Sequence, residues 1–109
     1  MNNDTVILVL SNLPDRETAK KLASHIVAEK LAACVNISAD ILSIYNWDGE
    51  QQADTEVQLM IKTRQACYAR LEALILAQHP YDLPEIIAIP LVARLPAYLD
   101  WVRKETETP

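Results

Sequence analysis

The feature that most limits how this chain can fold is a turn. Asp48-Gly49 contains the only glycine in the sequence and lies between two strand-like runs. An Asp-Gly pair in that setting suits a two-residue hairpin turn, which needs positive φ at both positions. Ile41 to Trp47 leads into the turn. The return limb opens with a polar piece, Glu50 to Thr55, and then alternates. Val57, Leu59 and Ile61 fall on one face, with Glu56, Gln58, Met60 and Lys62 on the other. The hairpin is long, because strands usually run about five or six residues. Tyr45 and Trp47 near its tip have no core of their own to enter. A partner chain accounts for them, and a solvated hairpin with incidental aromatics is the plainer alternative.

A single glycine also excludes chemistry. Loops that cradle phosphate need several glycines for the backbone to approach the ligand, so neither a P-loop nor a dinucleotide fingerprint can be built. The net charge of −5 and the lack of a basic run argue against a nucleic-acid partner. Half of the 109 residues are hydrophobic, enough for one globular domain over residues 1–109. The longest early apolar run, Val6 to Leu10, is far short of the roughly twenty residues that span a bilayer, so no membrane role is expected. The first residues lack the cationic start of a signal peptide, and Cys34 and Cys67 form no CxxC pair. A cytoplasmic protein without a disulfide scaffold or zinc knuckle is expected.

Taken in order, Thr5 to Leu10 reads as a strand buried on both faces, broken by Ser11-Asn12-Leu13-Pro14-Asp15. Asn12 or Asp15 caps a first helix whose apolar stripe is Ala19, Leu22, Ala23, Ile26 and Val27, with His25 on its surface. Leu31 to Ile37 forms a second strand in which Cys34 is a small buried hydrophobe. A kink at Ser38-Ala39-Asp40 precedes the hairpin. Thr63 caps a second helix with Cys67, Leu71, Leu74 and Ile75 inward, ending at Gln78-His79 before Pro80. Ile86 to Val92 supplies the fourth main strand, its apolar residues suited to burial, with Pro90 marking a bulge or an exposed end. Pro96 starts a last helix with Leu95, Tyr98, Leu99 and Val102 on one face, and Lys104 to Pro109 is a polar, frayed tail. The order is βαββαβ plus a C-terminal helix, the α+β ferredoxin-like sandwich. Helices cover one sheet face, and self-association is the expected cover for the other.

The densest group of polar chemistry is His79-Pro80-Tyr81-Asp82-Leu83-Pro84-Glu85-Ile86. Two prolines make it a rigid, extended connector from a helix into a central strand. His79, Asp82 and Glu85 are candidates for a metal or small-ligand site, and Lys62 could serve an anionic ligand or pair with Glu85. The structural alternative has His79 capping its helix, Glu85 and Lys62 in an ion pair, and Tyr81 packed on a neighbouring subunit. A small hydrolase or lyase is a second functional reading, with His79 as general base oriented by Asp82 or Glu85. Against it, no serine or cysteine nucleophile lies near the segment in sequence.

Leu31-Ala32-Ala33-Cys34-Val35-Asn36, Tyr45-Asn46-Trp47-Asp48-Gly49, Ile61-Lys62-Thr63 and the His79-to-Ile86 segment together resemble the signature blocks of the CutA family, the divalent-cation tolerance proteins. Pro14-Asp15 and Pro96-Ala97-Tyr98-Leu99 fall in the matching order, so the resemblance covers nearly the whole chain. It implies a homotrimer similar to the PII signalling proteins, cytoplasmic residence, and ligand clefts between subunits. It also implies a role in tolerance or signalling of copper or another divalent cation, with no enzymatic reaction. Tyr45, Trp47, Lys62, Tyr81, Asp82 and Glu85 become the candidates for the cleft and interface. In some relatives copper is attributed to a cysteine ending the first strand and two adjacent histidines before Pro-Tyr. Here those positions hold Ser11, Gln78 and His79, so His79 alone remains as a metal candidate. Glu50 stands where relatives often carry lysine.

Overall fold

A computed structural model describes residues 2–107. The elements run β1 (Val6–Leu13), α1 (Arg16–Ala28), β2 (Cys34–Ile37), β3 (Ile41–Trp47), β4 (Glu50–Arg64), α2 (Tyr68–Gln78), β5 (Ile87–Pro90) and α3 (Pro96–Glu105), with a 3₁₀ turn, Gln65–Cys67, leading into α2. The sheet order is β2-β4-β1-β5, every pairing described is antiparallel, and β3 pairs with the outer half of β4. This is the expected ferredoxin-like α+β fold.

β4 is the spine. Its 15 residues span on the order of 45 Å, somewhat less with twist, which matches the 44 Å long axis of the molecule and exceeds both other axes. Its inner half alternates as the sequence requires, with Val57, Leu59 and Ile61 buried against the helices. Ile7, Val9 and Leu13 of β1, the α1 stripe Ala19, Leu22, Ala23 and Ile26, and Leu71 and Ile75 of α2 complete that core. Burying each large aliphatic side chain contributes about 1.5–3 kcal/mol, so this layer holds the subunit together. The outer half of β4 has only β3 beside it. At the turn, Asp48 and Gly49 have φ of 52° and 79°, the left-handed pair that the sequence called for.

Several expectations need correction. β1 does not break at Ser11 but continues through Leu13, because β4 is long enough to pair with it as far as Leu13↔Val57. Of the two cap candidates it is Asp15 that accepts the Thr18 N–H, at 2.7 Å. Val27 is exposed and leaves the α1 stripe short of its expected end. β2 begins only at Cys34, whose thiol is half-buried and not buried. Thr63 caps no helix. Its hydroxyl donates to Leu31 O at 2.7 Å, and the first turn before α2 is met by backbone, with Gln65 N–H donating to Thr5 O and Ala66 N–H to Asn3 O. β5 is neither central nor buried. It is a four-residue edge strand, and Ile87 and Ile89 are 46% and 44% exposed.

On the sheet face away from α1 and α2, α3 covers one end. Val102 is buried there, and Tyr98 lies close enough to Cys34 for the thiol to raise its hydroxyl, after burial itself. The tail is less frayed than expected, although Thr108 and Pro109 lie outside the described residues. Thr106 is fully buried, accepts from Arg64 Nε at 2.8 Å and donates to Val102 O at 2.8 Å. Thr106→Val removes both bonds and leaves a guanidinium N–H unmet. It should cost about 1–3 kcal/mol in chemical denaturation, and an unchanged midpoint would show that the tail is not anchored.

Candidate functional site

The polar segment after α2 is built as a joint. Pro80 forbids helical backbone at the preceding residue, and His79 accordingly takes φ −73° and ψ 134° while its N–H still closes the last turn onto Ile75 O at 2.8 Å. β5 pairs with β1 only between Ile7 and Leu10, so past Leu10 the outer edge of β1 is open. The His79 ring fills that opening. Its Nε2 lies 2.7 Å from Asn12 O, and its Nδ1 is 3.1 Å from the Tyr81 backbone N–H. A backbone N–H can only donate and a carbonyl can only accept, so the ring is the tautomer with its proton on Nε2. The ring also tilts against Tyr81, with centroids 4.8 Å apart.

That placement delivers Tyr81 to the hairpin. Its hydroxyl donates to Glu56 Oε2 at 2.8 Å. Cross-strand register puts Ser43, Tyr45 and Trp47 of β3 on the same face as Gln52, Asp54 and Glu56 of β4. Tyr45 donates its hydroxyl to Asp54. The two walls enclose an open cleft of about 660 Å³, lined chiefly by Tyr45, Trp47, Glu56, Tyr81, Asp82 and Glu85. That volume is within the range of about 300–1,000 Å³ usual for small-molecule sites.

Five of the predicted site residues, Tyr45, Trp47, Tyr81, Asp82 and Glu85, therefore meet around one cleft. Lys62 does not join them. It lies further along β4 opposite Leu8 and Cys34, and its amine donates to Asn36, so the Lys62–Glu85 ion pair is not formed. His79 supports the cleft from behind and is 9% exposed, with neither ring nitrogen free. Its bonding is richer than the helix cap expected of it. Neither Asp82 nor Glu85 bonds to it, so the acid–base pair of the hydrolase reading is not assembled. Glu56 was missed by sequence reasoning. It falls on the polar face of the β4 alternation, where a carboxylate attracts no notice, yet it is only 7% exposed.

The family's copper positions do not form a metal site here. Ser11 is buried with its hydroxyl unbonded, and the Gln78 amide is held by His25 Nδ1 at 2.5 Å. His79 has no lone pair to offer. Among the described residues no group of three or more His, Cys, Asp or Glu side chains is set to hold a metal ion.

Burial, and then the Glu56 carboxylate, hold the Tyr81 hydroxyl well above its ordinary 10.0, and hydrogen bonding to Asp54 raises Tyr45 as well. A group whose pKa is raised on folding binds its proton more tightly in the native state. Its contribution is full below pH 10 and is lost as pH climbs from there toward the folded value. In an ultraviolet phenolate titration Tyr81 should ionise last of the tyrosines, and Tyr81→Phe should flatten the loss of stability above pH 10. Ionisation of Tyr81 near 10 would contradict its bond to Glu56.

The family model for the CutA1 divalent ion tolerance protein matches residues 7–105. Among curated relatives, "Protein CutA, chloroplastic" of Arabidopsis thaliana is 48% identical over 92% of this chain and 55% of that protein. The "Divalent-cation tolerance protein CutA" of Thermus thermophilus is 42% identical over 91% of this chain and 96% of that protein. The chain thus spans about half the length of the plant relative and nearly all of the bacterial one. The crystal structure of CutA1 from Oryza sativa superposes with a TM-score of 0.92 at 42% identity, over 97% of this chain and 99% of that one. The Cut A1 structure from Thermus thermophilus gives 0.91 at 41%, over 94% and 99%. With a matching family model over nearly its full length and this agreement in sequence and fold, the chain belongs to the CutA1 divalent ion tolerance family.

Proposed function

We propose that this chain acts as a non-enzymatic, PII-like homotrimer in the cytoplasm, serving tolerance or signalling of copper or another divalent cation, and that its ligand clefts lie at the subunit boundaries. The observation that carries the reading is the second face of the hairpin. Leu42 and Ile44 alternate with the cleft residues and stand 67% and 63% exposed, on a limb that has no helix behind it. Ile87 and Ile89 on the open edge strand add further apolar surface. Exposed apolar side chains on a hairpin limb and on an open strand edge are surfaces that a partner would cover, and a closed ring of identical copies covers every such patch at once.

The printed family name and the names of the relatives support the link to divalent cations. Among the described residues the copper positions do not supply a donor set, which supports a response that involves the assembled protein and its cleft. The arrangement at His79, with both ring nitrogens engaged, supports a role without acid–base chemistry. Cys34 and Cys67 are both free thiols, in keeping with a reducing compartment.

A strain lacking the protein should regain copper tolerance when the chain is supplied. The Leu42→Asp/Ile44→Asp double variant, which places charge in the shared interface, should be monomeric by light scattering and fail to restore tolerance. A trimeric mass for that variant, or rescue by its monomer, would contradict the reading.

A further inference from the structure

His25 and Glu29 stand one turn apart at the C-terminal end of α1, and their side chains approach each other. His25 Nε2 lies 3.4 Å from Glu29 Oε1, and both side chains are open to solvent, at 41% and 60% exposed. That separation is long for a charge-assisted hydrogen bond, which closes to about 2.7–2.9 Å. It is instead the spacing of two ligands on one small cation. Donors each about 2.1 Å from a tetrahedral zinc ion lie about 3.4 Å from one another.

The ring is already oriented from its other side. His25 Nδ1 is 2.5 Å from the Gln78 amide nitrogen at the end of α2. An amide N–H can only donate, so the free ring carries its proton on Nε2, toward Glu29. A histidine that binds a metal through one nitrogen almost always has the other held by a polar group, which sets the ring's orientation. Gln78 can serve both states, because a half-turn of its amide exchanges the donating nitrogen for the accepting oxygen. The helix adds a further bias. Glu29 is the C-cap of α1, at the negative pole of the helix, where a carboxylate is disfavoured and a cation is stabilised.

Imidazole with carboxylate suits divalent ions of the zinc type, whereas calcium and magnesium take oxygen shells. The pair is not a cage. Among the described residues no third His, Cys, Asp or Glu converges on it, so water completes the coordination and the ion is held reversibly.

We propose that His25 Nε2 and Glu29 Oε1 form a two-ligand site for a divalent cation of the zinc type, with Gln78 as the outer partner that fixes the ring. On binding, the neutral imidazole gives up its proton at Nε2 and takes one at Nδ1, where it is donated to the Gln78 amide oxygen. The site lies on the helix side of the sheet, apart from the cleft, and does not depend on the trimer.

Zinc titrated into the full ¹⁵N-labelled chain at about pH 7.5, where free imidazole is neutral, tests it. Calorimetry gives the affinity, and long-range proton–nitrogen correlation reads the histidine rings. Saturable binding that moves the His25 proton from Nε2 to Nδ1 is expected. His25→Gln should remove that binding. Gln78→Ala should weaken it about tenfold, as for loss of an outer partner, and Glu29→Gln at least as much. All three side chains lie outside the buried core, so the variants keep the fold. Glu17→Gln, at the other end of α1, should leave affinity unchanged. Equal affinity in the Glu29 and Glu17 variants would mean diffuse attraction and overturn the proposal. Magnesium bound as tightly as zinc would overturn the zinc-type assignment. Zinc binding that is lost in Cys34→Ser while His25 keeps its proton on Nε2 would place the ion at the thiol and overturn the site, as would the absence of saturable binding.

Discussion

The imidazole of His79 holds three parts of this fold in relation to one another. Its proton on Nε2 goes to the carbonyl of Asn12 at the open end of β1, and its Nδ1 receives the N–H of Tyr81. The residue itself ends α2. One ring thus joins the end of a helix, the edge of a central strand and the start of the proline-rich connector. Neutral imidazole offers a donor and an acceptor at two separate edges of one rigid ring, which is the geometry this joint requires. Buried backbone groups need partners, and without the ring the Asn12 carbonyl and the Tyr81 N–H would both lack one. The bond also fixes where Tyr81 points, and through Tyr81 it sets the position of Glu56.

The hairpin supplies the opposite wall by a simple rule of strands. Alternation sends Ser43, Tyr45 and Trp47 to one side and Leu42 and Ile44 to the other, so a single limb carries both a cleft and an exposed apolar strip. The dependence of the two faces on each other follows from register. A slip of one residue would exchange the cleft residues for the apolar ones. The Asp48-Gly49 turn prevents that slip, because its positive φ values fix which residue of β3 faces which of β4. In the proposed trimer, closing the apolar strip against a neighbour would bring a second subunit to the rim of the cleft.

Local chemistry was legible in the sequence, and competition between partners was not. The turn at Asp48-Gly49, the α1 stripe and the cap at Asp15 follow from residues within a few positions of one another. Thr63 was misread because its hydroxyl can serve a helix start or a distant carbonyl, and only the fold brings Leu31 O within reach. β5 was misread because an apolar run shows that a surface will be covered without showing by which chain. Of the candidate site, Tyr45, Trp47, Tyr81, Asp82 and Glu85 lie around one cleft, because the alternation of β3 and the proline-rich connector bring both segments to the same side. Glu56 went unseen because its burial depends on Tyr81, which is 25 residues away. Lys62 was placed wrongly because charge complementarity with Glu85 carries no distance.

His79 is a structural tie with both ring nitrogens occupied. Long-range proton–nitrogen correlation spectra of the ¹⁵N-labelled protein read the tautomer of each histidine ring directly. The prediction is a His79 ring with a protonated, pyrrole-like Nε2 and a pyridine-like Nδ1, in slow exchange with solvent and unchanged when zinc is added. A proton on Nδ1, fast averaging of the two nitrogens, or a shift of either on adding zinc would contradict it.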